Sequence, residues 1–207
     1  MPAIQLSQRV AGTEVVRVTG QLATGSHARR LMGLVVLLRG VNVGGHKTFR
    51  PTMLAEQLKH LKVVNIGAAG TFVVRQPVTR AQLRAELART LPIDAEIMIC
   101  QGRDIVRLVA RNPFAHQTAG PDIVHFVSVL ARAPRFEPSM PMSFPPDGDW
   151  LLRMLAREDR FILGLFRRHI KAIRYLGTVD RLFGVPITTR NWNTITAIAR
   201  VLGGREI

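Results

Sequence analysis

From Leu34 to Cys100, short apolar runs alternate with segments in which leucine recurs every three or four positions. A continuous apolar run such as 34–38 is typical of a buried strand, and the leucine spacing is typical of an amphipathic helix. The predicted strands are 34–38, 63–66, 72–75 and 96–100, and the predicted helices begin at Pro51 and after Thr79. This order of strand, helix, strand, strand, helix, strand predicts a ferredoxin-like sandwich, with both helices on one face of an antiparallel sheet.

The second half of the chain has a less regular pattern. A helix is predicted at 103–110 and ends before Pro113, because a residue that precedes proline disfavours the helical conformation. Further strands are predicted at 123–130, 151–156, 161–168 and 187–189, and further helices at 178–183 and 193–202. The predicted fold class is therefore α+β, with a ferredoxin-like βαββαβ first half and a second, smaller mixed α/β half.

Five prolines between Arg132 and Asp149 mark the strongest predicted boundary. The predicted organisation is an N-terminal extension at 1–31, a ferredoxin-like subdomain with an extra helix and strand at 32–131, a Pro-rich linker at 132–149 and a C-terminal α+β subdomain at 150–207.

Residues 1–31 lack the helical or strand periodicity of the rest of the chain. Met32 stands directly before the first core strand, so we interpret the preceding residues as an extension that is disordered or that arises from an upstream start codon. A basic N-terminal arm is the functional alternative, since four of these residues are arginine.

The composition is that of a globular protein. With 207 residues, of which 47% are hydrophobic, the chain is long enough to bury a core. Its single cysteine, Cys100, excludes a disulfide framework. The longest apolar runs are too short to span a bilayer, and no secretory signal pattern is present. We therefore expect a soluble, cytoplasmic protein without a membrane partner.

The formal net charge of +15 suits a polyanionic partner. The basic residues are nevertheless distributed along every predicted element and are not concentrated in one run. The charge is consistent with a nucleic-acid surface and also with a basic, solvated exterior, and both interpretations stay open.

The first candidate site is the strand-to-helix loop Arg39-Gly-Val-Asn-Val-Gly-Gly-His-Lys47. Gly44 and Gly45 let backbone N–H groups turn toward an anion, and Arg39, Asn42 and Lys47 add side-chain donors. The spacing matches neither a P-loop nor the dinucleotide-binding fingerprint. The alternative is that the glycines serve tight turns and that Asn42 bonds its own backbone.

The second candidate site is the segment 189–194, Thr-Arg-Asn-Trp-Asn-Thr, where a strand enters a helix. Asn193 or the threonine after it suits the N-cap, and Trp192 suits the core. An arginine at a strand end beside an amide suits a carboxylate or phosphate, so Arg190, Asn191 and Asn193 join the candidate ligand-binding residues. The alternative is that these residues cap the helix and form structural pairs.

The two segments are expected to converge. Each lies at a strand-to-helix junction, where free backbone N–H groups favour anions. Acids are scarce, with 14 in the chain against 29 lysines and arginines, so a private carboxylate for each buried arginine is disfavoured. We therefore expect Arg39 with Asn42, and Arg190 with Asn191, to share an anion in one pocket.

Conventional catalytic motifs are absent from the sequence. The six histidines have no H-x-x-x-H spacing, and there is no G-x-S-x-G motif. Cys100 is interpreted as a small buried hydrophobe. The sequence predicts no metal site and specifies no cofactor, and whether the protein is an enzyme stays open.

The segments 37–45 (LLRGVNVGG) and 189–194 closely resemble the signatures of a bacterial domain-of-unknown-function family, numbered 1697. The resemblance extends over 34–202 and implies an α+β fold with a ferredoxin-like first half, but no established activity. The family often shows Gln-Ser-Gly-Asn where this chain has Gly67-Ala-Ala-Gly70, and a Ser-Lys pair where this chain has Gly177-Thr-Val179. Both departures remove polar groups from any site that depends on them.

Three functions are consistent with the sequence. The preferred hypothesis is the binding of a small anionic ligand or nucleotide at the two segments. Nucleic-acid binding is the second, weakened because Phe72 is the only aromatic residue in the predicted strands of the first half, whereas sheet-type RNA readers stack bases on two or three. The third is an enzyme that uses Arg39 and Arg190 for electrostatic stabilisation.

Overall fold

Two antiparallel sheets organise the protein, and the computed structural model describes residues 33–41, 49–117 and 120–203. The strands are β1 (Leu34–Arg39), β2 (Val63–Asn65), β3 (Thr71–Val74), β4 (Glu96–Gln101), β5 (Ile123–Leu130), β6 (Met142–Phe144), β7 (Leu152–Glu158), β8 (Phe161–Arg167) and β9 (Ile187–Asn191). The helices are α1 (Pro51–Gln57), α2 (Arg80–Thr90), α3 (Gly102–Arg111), α4 (Ile170–Leu176), α5 (Val179–Phe183) and α6 (Trp192–Val201), and a 3-10 turn covers Lys59–Leu61. The predicted α+β class is confirmed.

The first sheet has the strand order β2-β3-β1-β4 and is antiparallel throughout. Val36 of β1 lies between Phe72 of β3 and Ile99 of β4, which sets the register. Leu54 of α1 and Leu83 of α2 pack on the same face of this sheet. The first half therefore has the predicted order of strand, helix, strand, strand, helix and strand.

The helix starts in this half follow from local chemistry. Pro51 occupies the first turn of α1, where its missing backbone N–H costs nothing. Thr79 caps α2, since its hydroxyl accepts from the backbone N–H of Gln82 at 3.2 Å and its own N–H donates to the Gln82 side chain at 3.1 Å. This reciprocal capping box begins α2 at the predicted position.

The second sheet has the strand order β6-β7-β8-β5-β9, so β5 is an interior strand. Val127 of β5 pairs with Leu163 of β8 on one side and with Arg190 of β9 on the other. The sequence assigned this strand to the subdomain at 32–131, and the structure differs because the partners of β5 come from residues later in the chain.

The Pro-rich segment 132–149 is part of the second sheet, where the sequence predicted a linker. It contains β6, an edge strand in which Ser143 pairs with Arg153 of β7. Prolines are tolerated beside it because an edge strand has only one neighbour to satisfy. Phe144 packs against Tyr175 of α4, with ring centroids 5.6 Å apart, and this contact ties the segment to the helices on that face.

The sequence did not predict α4. Its large apolar residues Ile170 and Ile173 are exposed, whereas its buried residue is Ala172. Helix prediction relies on large apolar residues that recur along the face that packs inward. In α4 the two isoleucines lie on the exposed face instead, so this signal is missing. His169 caps the helix, because its Nδ1 accepts from the backbone N–H of Lys171 at 3.1 Å.

Three buried clusters fill the protein. The first outer cluster packs α1 and α2 on the first sheet, and the second outer cluster packs α4 and α5 on the second sheet. The central cluster combines residues of both sheets with residues of α3 and α6: Val35, Leu37, Val73, Met98, Cys100, Ile105, Leu108, Phe114, Val127, Val129, Phe161, Leu163, Leu165, Ile195, Ile198 and Leu202. Both halves of the chain therefore share one core.

Candidate functional site

The structure describes half of the predicted ligand-binding residues. Arg39 ends β1, Arg190 and Asn191 end β9, and Asn193 lies in the first turn of α6. The others, Asn42, Gly44, Gly45 and Lys47, lie outside the described residues. The described part of the candidate site therefore consists of the end of β1 and the end of β9.

Arg190 donates all of its N–H groups to neutral oxygens of the protein. Nε donates to Thr71 Oγ1 at 2.7 Å, Nη1 to Thr188 Oγ1 and the Thr189 carbonyl at 2.8 Å each, and Nη2 to the carbonyls of Leu38 at 2.8 Å and Ala69 at 2.7 Å. A guanidinium has five N–H groups, so this set uses every donor of Arg190.

Arg190 is also a buried cation without a carboxylate partner among the described residues. It is 7% exposed, and burial lowers its pKa to about 10. Because that pKa is still well above neutral, the guanidinium keeps its charge at pH 7. Desolvation of this charge is offset by carbonyl and hydroxyl dipoles that point at it in place of water.

The contacts of Arg190 join the two sheets at one point. Arg190 belongs to β9, Leu38 belongs to β1, and Ala69 lies in the turn between β2 and β3. The turn 67–70 contributes backbone oxygens to Arg190, so these contacts do not depend on its side chains. Arg190 therefore does not need polar side chains in this turn.

Gly70 lets this turn lie against the end of β1. It has φ of +66°, and a Cβ added there would lie 2.8 Å from Cγ2 of Val41 and 3.0 Å from Cβ of Leu38. A side chain at this position would meet both the conformational cost of positive φ and a direct clash. Gly70 is required because the turn lies close to Leu38 and Val41, where the 39–47 segment begins.

Arg39 is held by two acids. Its Nη1 donates to Glu96 Oε2 at 2.8 Å and its Nη2 donates to Asp180 Oδ2 at 2.6 Å. The hydrogen bond with Glu96 raises the pKa of Arg39, burial opposes this, and the charge of Asp180 adds to the increase. Glu96 belongs to β4 and Asp180 to α5, so Arg39 also links the two halves of the chain.

The expectation that Arg39 and Arg190 share an anion differs from what the structure contains. Arg39 pairs with two carboxylates and Arg190 binds only neutral oxygens. The two segments meet through backbone, because the Leu38 carbonyl next to Arg39 accepts from Arg190, 152 positions away. Arg190 has no N–H group left to stabilise a reacting group, so the enzyme hypothesis loses the role assigned to it. Arg39 is 38% exposed and uses two of its five N–H groups on carboxylates.

Asn191 caps α6. Its Oδ1 accepts from the backbone N–H of Thr194 at 2.8 Å and from the Thr194 hydroxyl at 2.9 Å. The predicted cap was Asn193 or Thr194, and the structure differs because β9 extends to Asn191 and α6 follows without a loop. Asn193 is exposed, and its side chain forms no hydrogen bond with any residue in the described ranges.

Trp192 begins α6 and packs at the margin of the central cluster. Its ring meets Phe114 edge to face, with centroids 5.0 Å apart, and Phe114 stacks on His125 with centroids 4.8 Å apart. Such aromatic pairs add to the stabilisation from burial alone. These contacts agree with the core position that the sequence suggested for Trp192.

Sequence reasoning missed a second arginine that joins the sheets. Arg160 donates from Nη1 to the Ile99 carbonyl of β4 at 2.9 Å and from Nη2 to the Leu130 carbonyl of β5 at 2.6 Å. Arg160 lies in the turn between β7 and β8, where an arginine is ordinarily solvated. Arg160 is half-buried, but no local pattern in the sequence distinguishes it from the exposed arginines of the chain.

The described residues offer few groups for catalysis. Cys100 is fully buried, and burial raises the pKa of its thiol, so a reactive thiolate is disfavoured there. Across the described ranges, no group of three or more His, Cys, Asp or Glu side chains is placed to hold a metal ion. Within the same ranges, no helix combines the length and apolar composition needed to span a bilayer.

The face of the first sheet opposite α1 and α2 is covered. Val35, Leu37, Val73 and Met98 lie on that face and are at most 1% exposed in the central cluster. RNA-binding proteins built on a four-stranded sheet use an open face, on which aromatic side chains stack bases. The first sheet has no such open face, and that mode of RNA recognition is unsuited to this chain.

Comparison with known proteins agrees with this architecture. The family model described as "Protein of unknown function (DUF1697)" matches residues 32–142, more than half of the chain. The chain belongs to this family. The matched residues include the first signature segment, whereas the segment 189–194 lies outside them.

One similar solved structure is that of the conserved bacterial protein SP0830 from Streptococcus pneumoniae. The two chains are 14% identical and superpose with a TM-score of 0.54, over 82% of this chain and 98% of that one. At this identity the likeness shows a shared fold alone. No curated protein matches the sequence.

Proposed function

We propose that the protein binds a small anionic ligand, of the phosphate or nucleotide class, at the 39–47 segment. The segment 189–194 then supports the site from within the fold and does not contact the ligand. In this proposal the ligand is bound by Asn42, Gly44, Gly45 and Lys47. Arg190 and Asn191 serve the scaffold, and Asn193 has neither role. Arg39 orients the start of the loop through its two carboxylate partners.

The observation that carries the proposal is the charge of Arg190 at the base of the loop. Its guanidinium is buried, positively charged at neutral pH and surrounded by uncharged oxygens, among them the carbonyl of Leu38 just before the loop. Neutral acceptors satisfy its hydrogen bonds but do not cancel its charge. A buried charge is weakly screened, so it favours an anion bound near Leu38, at the start of the 39–47 segment.

The backbone at the start of the segment supports the same proposal. Gly40 has φ of +80° and open space on the side where a Cβ would lie. Glycine at positive φ turns the backbone so that successive N–H groups can face one concave side, as in other anion-binding loops. Lys47 adds an ammonium donor to the same segment.

The experiment is a calorimetric titration of the full chain with inorganic phosphate, pyrophosphate and nucleoside mono-, di- and triphosphates. We expect at least one of these to bind, with Lys47→Ala weakening the affinity by about tenfold, or about 1.4 kcal/mol. Lys62→Ala is the matched control, since Lys62 is an exposed lysine between the 3-10 turn and β2 and has no ion pair among the described residues.

Equal weakening by both lysine substitutions would mean that the anion binds the general basic exterior. Absence of binding by every phosphate compound would overturn the proposal. Short single-stranded RNA in a parallel titration separates the nucleic-acid alternative, because such binding weakens steeply as salt is raised and spreads over many cations.

A further inference from the structure

Helix α4 presents an apolar and basic face to solvent. Ile170 is 72% exposed and Ile173 is 60% exposed, and they are two of the four large hydrophobic residues with such exposure among the described residues. Lys171 and Arg174 stand beside them on the same short helix and are exposed. We refer to these four residues as the α4 face.

The inward side of α4 is already occupied. Ala172 is buried, and Tyr175 and Leu176 pack against the second outer cluster. The isoleucines are therefore not needed to hold the helix on the sheet. Two neighbouring β-branched side chains left in water form an apolar patch, and a partner that covers the patch gains free energy by removing it from water.

The segment of the sequence that contains α4 carries charges of one sign. No aspartate or glutamate occurs between Arg160 and Val179 in the sequence. Arg168, Lys171 and Arg174 form no ion pair with any residue in the described ranges. A partner that covers the isoleucines therefore meets unpaired cations around them, which favours acidic groups on the partner.

We propose that the α4 face is a docking surface for an acidic, amphipathic segment of another protein. Two apolar side chains of that segment would cover Ile170 and Ile173, and its carboxylates would pair with Lys171 and Arg174. This is the usual chemistry of a small interface, with an apolar centre and a charged rim. The inference is independent of the anion site proposed above.

Two other occupants fit less well. A symmetric dimer through this face would place the same cations against each other, because a two-fold interface joins identical patches. A membrane surface would be contacted by a helix of seven residues with two isoleucines, which is small beside the interfacial helices that hold proteins on bilayers.

The test uses the full chain and short labelled peptides in which leucine recurs at helical spacing. One peptide has glutamate at the remaining positions, the second has lysine there, and the third has glutamate throughout without leucine. Fluorescence anisotropy is expected to show binding of the first peptide only. The Ile170→Ser/Ile173→Ser variant should weaken that binding by about tenfold or more, as removal of central apolar anchors does.

Charge reversal tests the other half of the proposal. The variant Lys171→Glu/Arg174→Glu should lose the glutamate-leucine peptide and gain the lysine-leucine peptide. Met53→Ser is the matched control, since Met53 is 57% exposed on α1, which packs on the other sheet. It should leave all three titrations unchanged. All of these positions are exposed, and circular dichroism should show that each variant keeps its fold.

Several results would overturn the proposal. One is equal binding of the glutamate-leucine peptide to the wild type and to the serine variant. Another is absence of peptide binding together with isoleucine-dependent binding to phosphatidylserine vesicles, which would assign the face to membranes. A third is a dimer in sedimentation equilibrium that the serine variant abolishes. Failure of the wild type to bind any of the peptides would also refute it.

Discussion

The guanidinium of Arg190 is surrounded by protein oxygens that carry no formal charge. Four of its acceptors are backbone carbonyls and two are threonine hydroxyls. A planar fork of five donors can satisfy many acceptors from different segments at once, which a lysine ammonium with three donors cannot. Arg190 therefore links β9 to the first sheet, and this link requires the shape of its guanidinium group as well as its charge.

Replacing Arg190 should destabilise the protein strongly. We expect Arg190→Met to lower the free energy of unfolding by at least about 3 kcal/mol, because each buried acceptor left without a donor costs about 1–3 kcal/mol. Arg190→Lys should recover only a small part, since it restores the charge and not the fork. Urea unfolding followed by circular dichroism measures both.

The control for this prediction is Arg107→Met, in an exposed arginine of α3 without an ion pair among the described residues. It should change stability by less than about 0.5 kcal/mol, as surface substitutions usually do. If Arg190→Met proved as mild as Arg107→Met, this link would contribute nothing to the fold, and a ligand role for Arg190 would return.

Arg39 should matter much less for stability than Arg190. Its side chain is 38% exposed, and its bond to Asp180 is one of two that it makes. A double-mutant cycle with Arg39→Met and Asp180→Asn should give a coupling energy of about 1 kcal/mol or less, and one that falls in high salt, as for other partly exposed ion pairs. A salt-independent coupling of several kcal/mol would show that the pair is effectively buried.

At the scale of elements, the sequence predicted best where local rules and tertiary packing agree. The helix α2 is an example, because its capping box at Thr79 and its inward leucines give the same boundaries. The prediction failed at α4, where the isoleucines face outward, and at β6, which is too short for an alternating pattern to be visible.

The candidate site was also predicted only in part. A strand-to-helix junction with Arg190 and Asn191 was visible in the sequence, but the acceptors of Arg190 were not. They are contributed mostly by backbone at Leu38 and Ala69, and backbone carbonyls have no sequence signature. Whether an arginine at such a junction faces a ligand or a carbonyl depends on contacts that arise only when distant segments meet.

Asn191 and Asn193 give a matched test of which asparagine in this segment is structural. Asn191→Ala should cost about 1 kcal/mol of stability, because it removes the side-chain acceptor for the first turn of α6. Asn193→Ala should change stability by less than about 0.5 kcal/mol, since the side chain is exposed and without a hydrogen bond among the described residues. Thermal unfolding of both variants distinguishes these outcomes.

Phosphate titrations of the same two variants test whether either asparagine contacts the ligand. We expect neither substitution to change ligand affinity once binding is measured well below the melting temperature. Loss of affinity in Asn193→Ala with unchanged stability would make Asn193 a ligand contact, as the sequence suggested, and would extend the proposed site into α6.

At the scale of the whole molecule, the two sheets depend on each other. The central cluster takes residues from β1, β3 and β4 of one sheet and from β5 and β8 of the other. Arg160 and Arg190 add hydrogen bonds from the second sheet to the first, and the Arg39–Asp180 ion pair adds another link. This dependence is not visible in the order of the elements along the chain. After β4 of the first sheet the next strand is β5, which belongs to the second sheet.

We therefore expect the chain to unfold in a single cooperative transition, and a fragment covering 32–131 to fail to fold alone. In that fragment β5 would lack both of its partner strands, β8 and β9, and Val127 and Val129, now fully buried, would be exposed. Calorimetry of the full chain should give equal calorimetric and van 't Hoff enthalpies, as for a two-state unit. The fragment should show no cooperative melting and weak near-ultraviolet dichroism. Mixing it with a second fragment covering 132–207 should restore both signals, because the two pieces together supply the complete core. Two separate transitions in the full chain, or cooperative melting of the isolated fragment, would show that the Pro-rich segment separates independent domains after all.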